Sequence, residues 1–214
     1  MRALILALLV GFFMTGCQSA YYAAMEKVGI HKRDILADRV QEAGDAQQQA
    51  QQQFKDALSH FRAVVHLDDS ELEARYDELS AQYDASKAAA DNVSRRIDAV
   101  QDVAEALFDE WQGELDQYSS AKLRAASAKT LADTKARYKK LLAAMRKAEA
   151  KMPPVLAKFH DQVLFLKHNL NAQAIGALKG ELGNIEKQVN GLVEEMQKSI
   201  DESQRFIQQL NNNG

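Results

Sequence analysis

Residues 93–111 read Val93-Ser94-Arg95-Arg96-Ile97-Asp98-Ala99-Val100-Gln101-Asp102-Val103-Ala104-Glu105-Ala106-Leu107-Phe108-Asp109-Glu110-Trp111. Val93, Ile97, Val100, Ala104, Leu107 and Trp111 recur at alternating steps of four and three, separated largely by polar residues. This spacing lines the apolar side chains along one stripe of an α-helix. It predicts a helix that packs on partner helices through a heptad seam.

The rhythm extends in both directions. Leu72, Tyr76, Leu79, Tyr83, Ser86 and Ala90 continue it upstream, and Glu114 and Tyr118 keep the phase downstream. An earlier seam runs through Leu36, Val40, Ala43, Gln47, Ala50, Phe54, Ala57, Phe61 and Val64, with polar Gln47 as a register-setting interruption. Between the two seams, Asp68-Asp69-Ser70-Glu71 supplies N-cap chemistry. The phase shifts around 113–130, where Gly113, Ser119 and Ser120 weaken the helix. It resumes at Leu131, Thr134, Tyr138, Leu141, Met145, Ala148 and Met152, and Pro153-Pro154 predicts the end of that segment. A last helix is expected from about 155 to 210, with Leu182, Ile185, Val189, Leu192, Met196, Phe206 and Leu210 on one face.

Ten Gly and two Pro in 214 residues suit such helices. The expected class is all-α: long antiparallel helices with coiled-coil heptad packing. They form a three-helix rod, or a four-helix bundle if helix two bends at 113–130. The lack of proline between 112 and 120 favours the rod. Turns near 66–69 and 152–153 would bring Met25 and Glu194 beside Glu110 and Trp111, with Trp111 as a packing anchor. They would also set Gly176, Gly180 and Gly183 opposite Ala128, Ala125 and Ala121, where small residues let backbones approach. An unbroken helix over 69–152 would be about 125 Å long. A lipid attached near residue 17 would then emerge beside its middle, and the rod would lie along the membrane.

The first sixteen residues predict a cleaved secretory signal: Arg2, an apolar run from Leu4 to Phe13, then small residues. Met14-Thr15-Gly16-Cys17 resembles the bacterial lipobox. That resemblance implies acyl chains on Cys17 and cleavage before it, and Gln18-Ser19, with no Asp, implies sorting to the outer membrane, facing the periplasm. The expected organisation is a signal peptide over 1–16, an anchor and juxtamembrane segment over 17–24, one elongated helical domain over 25–210, and a tail over 211–214. Cys17 is the only cysteine, which excludes an internal disulfide. Tyr21, Tyr22, Lys27, Lys32 and Arg33 are membrane-interface candidates, since Tyr rings and basic side chains suit lipid headgroups. Alternatively, Tyr21 and Tyr22 staple the chain onto the bundle.

The net charge of −3 conceals a split. Residues 34–118 carry 20 acidic and 7 basic side chains, whereas residues 119–168 carry 12 basic and 3 acidic. The second block reads as a basic hairpin around Pro153-Pro154, with Lys135, Arg137, Lys139, Lys140, Arg146, Lys147 and Lys151 facing an anionic partner. Candidate partners are anionic lipid, an acidic envelope protein, or the acidic half of another copy in a homo-oligomer. The competing reading is ordinary solvated coiled-coil charge. Nucleic acid is not an expected partner of an exported chain.

Catalytic signatures are missing from the sequence. His31, His60, His66, His160 and His168 form no Glu-x-x-His or His-x-x-x-His pair, and no Walker or dinucleotide loop occurs. Neither an enzyme nor a cofactor or metal site is expected. A hydrolase or ligand carrier with an unrecognised site would require a wide cavity between helices.

Three blocks resemble an uncharacterised family of gammaproteobacterial proteins, a domain of unknown function. They are Gln18-Ser19-Ala20-Tyr21-Tyr22 with Met25-Glu26-Lys27-Val28-Gly29-Ile30-His31-Lys32-Arg33-Asp34, Ala104 to Trp111, and Leu166-Lys167-His168-Asn169-Leu170-Asn171-Ala172. The resemblance is collinear over the chain from residue 17 and implies no activity. The expected function is a non-enzymatic outer-membrane scaffold or adaptor, or alternatively a self-assembling structural protein.

Overall fold

The computed structural model describes residues 21, 22, 25, 29–65, 72–169 and 172–212. The lipobox, Lys27, His66 and the 68–71 cap lie outside them. The described elements are α1 (Lys32–Val64), α2 (Leu72–Glu114), a 3-10 turn (Leu115–Gln117), α3 (Ala121–Glu149), α4 (Met152–His168) and α5 (Ala172–Asn212).

The chain enters through a tight reversal. Gly29 has φ +84°, a value at which an L side chain is strained. The Ile30 N–H donates to the Met25 carbonyl across that turn at 3.0 Å. Asp34, in the first turn of α1, faces the positive helix end, and its carboxylate accepts from the His31 backbone N–H at 3.4 Å.

Both seams fold as their spacing dictates. All nine α1 seam residues from Leu36 to Val64 are buried, as are Val93, Ile97, Val100, Ala104 and Leu107 of α2. The set from Leu131 to Met152 is also buried, and so is the α5 face apart from half-buried Leu182. Each fully buried large side chain contributes roughly 1.5–3 kcal/mol. These residues merge into one core, where Phe54 of α1 stacks on Phe159 of α4 with ring centroids 6.2 Å apart.

Helix two does not run on to 152, so the long rod is replaced by the four-helix arrangement. Its seam fails at Glu114 and Tyr118, which are exposed, while Leu115 turns inward. Tyr118 is extended (ψ 121°), and the Ser120 side chain accepts from the Leu123 N–H at 3.4 Å, capping α3. A buried leucine and a serine cap thus reverse the chain without proline.

Pro153-Pro154 behaves in the opposite way and makes no hairpin. Ala150 and Lys151 both keep right-handed helical angles, and the prolines occupy the first turn of α4. Amide hydrogens there have no intrahelical acceptor, so losing them costs little. Lys140, Lys147 and Lys158 meet Glu202, Glu195 and Glu181 in one descending register along α5. α3 and α4 therefore form a single arm of about 70 Å. The chain reverses again only after Asn169, which splits the helix expected over 155–210.

The result is an up-down-up-down bundle. α1 and the α3–α4 arm each pack on both α2 and α5. Arg62 to Glu186, Gln51 to the Val193 carbonyl and Gly44 to Ser203 run antiparallel between α1 and α5. Lys32 meets Glu110 at 2.9 Å, and Phe206 and Leu210 border the same groove as Trp111. Glu194 does not reach Trp111 and instead holds Lys198 at 2.7 Å on its own helix.

Candidate functional site

The basic arm is where sequence charge and tertiary structure meet. Six of its twelve cations hold a carboxylate among the described residues. Arg146 bridges α3 to α2, holding Asp98 at 2.6 Å and the Gln101 amide oxygen at 3.1 Å, and also binds Glu149 at 2.9 Å. Towards α5, Lys140 reaches Glu202 at 3.3 Å and Lys147 reaches Glu195 at 2.9 Å. The hydrogen bond from Lys147 holds the Glu195 carboxyl below the usual carboxylate range. Lys135 lies over the Phe108 ring, 5.7 Å from its centroid, and Arg137 donates to the Asp133 carbonyl at 3.1 Å. Beneath them Tyr138 is packed edge-on to Phe108 and Phe206, and burial pushes its phenol up to about 12.

Lys122, Lys139, Lys151 and Lys167 remain exposed, with no ion-pair partner among the described residues. Lys151 borders a surface groove of about 450 Å³ beside the Pro153-Pro154 jog. Pro154 and Val155 form one wall, and Asn184, Lys187, Gln188 and Gly191 of α5 form the other. A Cβ placed at Gly191 would meet nothing within 4 Å. Lys187 also has no ion-pair partner among the described residues. Gln188 donates to the Asn184 side-chain oxygen at 3.2 Å, leaving the Asn184 amide hydrogens available. Two ammonium groups and an amide around an open groove suit a ligand group with several anionic oxygens.

The basic block is therefore one arm of the bundle rather than a hairpin, and its open end is completed by α5. Lys187 and Asn184 escaped the sequence reading because they lie outside residues 119–168. Their proximity to Lys151 exists only once α5 folds back along α4.

The other named residues divide clearly. Tyr22 is buried in the core, 5.5 Å edge-on from half-exposed Tyr21, so it staples the chain and does not face lipid. Lys32 is similarly withdrawn, only 10% exposed, between Glu110 and the Tyr22 ring. Arg33 lines a hollow with Trp111 and Phe206. Trp111 is half-buried, and its indole N–H donates to Ser127 Oγ. Gly176, Gly180 and Gly183 overturn the close-packing expectation, since a Cβ at any of them would meet nothing within 4 Å. Their supposed partners Ala121 and Ala125 are exposed on the far end of α3.

His60 pairs with Glu78 at 2.6 Å and His160 packs on Tyr83 with ring centroids 5.1 Å apart. Among the described residues no group of three or more His, Cys, Asp or Glu is placed to hold a metal, and no helix is long and apolar enough to cross a membrane. Two hollows between the helices measure about 20 and 10 Å³, the scale of a single water.

The chain belongs to the family described as "Protein of unknown function (DUF2959)", whose model matches residues 21–210. No curated protein and no solved structure matches it.

Proposed function

We propose that this member of the family is a lipid-anchored, non-enzymatic protein of the outer membrane, facing the periplasm. In this reading it is a scaffold or adaptor, carried by acyl chains on Cys17, and it presents the open groove of its basic arm to an anionic partner. The supporting observation is the groove itself. Lys151 of the arm and Lys187 of α5 line one opening with no carboxylate among its lining residues, whereas six other arm cations each hold a carboxylate. The partner is an acidic envelope protein or an anionic lipid headgroup. Both present clustered anionic oxygens.

The reading is tested with the chain from residue 17 carrying Cys17→Ser. Binding to solubilised envelope proteins and to anionic vesicles should weaken as salt rises. It should fall about tenfold or more in Lys151→Glu/Lys187→Glu, a loss of two attractive charges converted to repulsive ones. Binding unaffected by salt and by the double variant defeats the groove. Intact mass of protein from its native host decides the anchor separately, by acylation at Cys17.

Self-assembly through acidic and basic halves is the weaker reading. Asp98 of the acidic half, and Glu195 and Glu202 of α5, already hold Arg146, Lys147 and Lys140 within one chain, which leaves fewer arm cations for a second copy.

A further inference from the structure

The α5 carboxylates that face the basic arm lie on one heptad stripe, and that stripe has a position missing. Glu202 meets Lys140 at 3.3 Å, Glu195 meets Lys147 at 2.9 Å and Glu181 meets Lys158 at 3.8 Å. The stripe runs through positions 202, 195, 188 and 181, and position 188 is Gln. Across from Gln188 the groove wall is Pro154, with Lys151 one turn away. There α5 supplies a second cation, Lys187, where the ladder elsewhere has an anion. The ladder therefore lacks a rung where the groove opens, and two lysines face the gap with no carboxylate among its lining residues.

Charge alternates along this track. Glu195, held by Lys147, closes one end of the gap. At the other end the track continues into a second hollow of about 350 Å³, bordered by Glu181, Asp161 and Phe165. Lys151 to Phe165 and Ala177 to Gly191 each cover about 21 Å of helix. An anionic bilayer is a poor match for this track. It presents a broad sheet of negative charge, which would meet Asp161, Glu181 and Glu195 together with the lysines. An extended peptide is a poor match too, because helical walls offer no unpaired backbone edge for it to join. A helix needs none. Its side chains at heptad spacing would step along the track as Glu202, Glu195 and Glu181 do.

We propose that the occupant of this groove is a helix of another protein, which sets a pair of carboxylates between Lys151 and Lys187 and so supplies the missing rung. The inference rests on the groove reading above, and it narrows the partner from anionic oxygens in general to side-chain carboxylates on a helix. Asn184 adds direction that two lysines lack. Its side-chain oxygen accepts from Gln188, so its amide hydrogens are left to donate to a carboxylate oxygen. Complementarity extends beyond the gap. Cationic side chains one heptad to either side of the carboxylates would face Glu195 at one end and Glu181 with Asp161 at the other. The groove then reads the order of charges along the partner and not its net charge.

The test uses the chain from residue 17 with Cys17→Ser and two stapled helical peptides of identical composition and no net charge. One carries a central pair of glutamates with a lysine one heptad to either side. Its isomer exchanges the lysines and glutamates. The first should bind about tenfold or more tighter than the isomer. In Lys151→Glu/Lys187→Glu the preference should reverse, because the gap then calls for cations. Both lysines are exposed, and matching thermal unfolding of the variant verifies that the fold is intact. Equal affinity for the two isomers, including binding of neither, overturns the proposal. So does binding to phosphatidylglycerol vesicles that the double variant abolishes, which keeps the groove but assigns it to lipid headgroups. A dimer in sedimentation that the double variant abolishes also overturns it and assigns the groove to a second copy. A double variant that changes no binding, to peptides, vesicles or envelope proteins, removes the groove reading itself.

Discussion

The Trp111 indole Nε1–H donates to Ser127 Oγ at 2.8 Å, joining α2 to α3 just before the chain reverses. The bond spans sixteen residues and closes the α2–α3 hairpin around its 3-10 turn. Ser127→Ala leaves a half-buried indole donor without its acceptor. The expected cost is about 1 kcal/mol, read as a lower denaturant midpoint with altered Trp111 emission. An unchanged midpoint would show that the hairpin is held by Leu115 alone.

Gln47 is fully buried, and neither its amide nitrogen nor its oxygen has a hydrogen-bond partner. The pairs Gly44 with Ser203 and Gln51 with Val193 bracket it, level with Ser199, whose hydroxyl is also buried and unpartnered. Replacing the amide with a hydrocarbon of similar size removes that burial penalty. Gln47→Leu is expected to raise stability by about 1 kcal/mol or more, measured by equilibrium urea unfolding. A destabilised variant would refute the accounting.

Gly176, Gly180 and Gly183 lie on a solvent-facing part of α5, where an added Cβ would find open space. Alanine at each should stabilise the helix by roughly 0.5–1 kcal/mol. Close packing against α3 would give the reverse sign, so thermal unfolding of the three single variants distinguishes the two arrangements. Loss of stability in any of them would return that glycine to an interface.

Acid should loosen the bundle through its cross-helix carboxylates. The Glu195 carboxyl is lowered chiefly by the hydrogen bond from Lys147, across on α3, and that of Glu78, which also meets His60 of α1, chiefly by the one from Arg75 on its own helix. A carboxyl with a depressed folded-state pKa contributes stability that is complete above its unfolded value, about 4.3. The contribution disappears as pH falls through the folded value. Wild-type stability is therefore expected to decline below about pH 5, and Glu195→Gln should show a shallower decline. Identical acid titration curves would remove Glu195 from the explanation.

The seams from Leu36 to Val64 and from Val93 to Leu107 were legible because heptad spacing is local. A 4-3 recurrence of apolar residues names both the helix and its buried face, and those faces are the ones the bundle buries. The blocks around Tyr21, Trp111 and His168 likewise pointed to the family that the chain belongs to. The turns were not legible to the same degree. Glu114 and Tyr118 keep the heptad phase across the actual reversal, whereas Pro153-Pro154, the strongest local breaker, sits where the arm continues. A first-turn proline is compatible with either a reversal or a straight continuation, and serine caps differ from helix by about 1 kcal/mol.

Composition and periodicity alone determined that this protein is helical, which stripe of each helix is apolar, and where charge of each sign accumulates along the chain. Tertiary packing decided where the chain turns back, which lysines are matched and which line a groove, and that three glycines face solvent. The reason is one of scale. Turn preferences are worth about a kilocalorie each, while every large side chain drawn into the shared core contributes as much or more. The path of the chain is therefore set by the pairing of distant apolar faces.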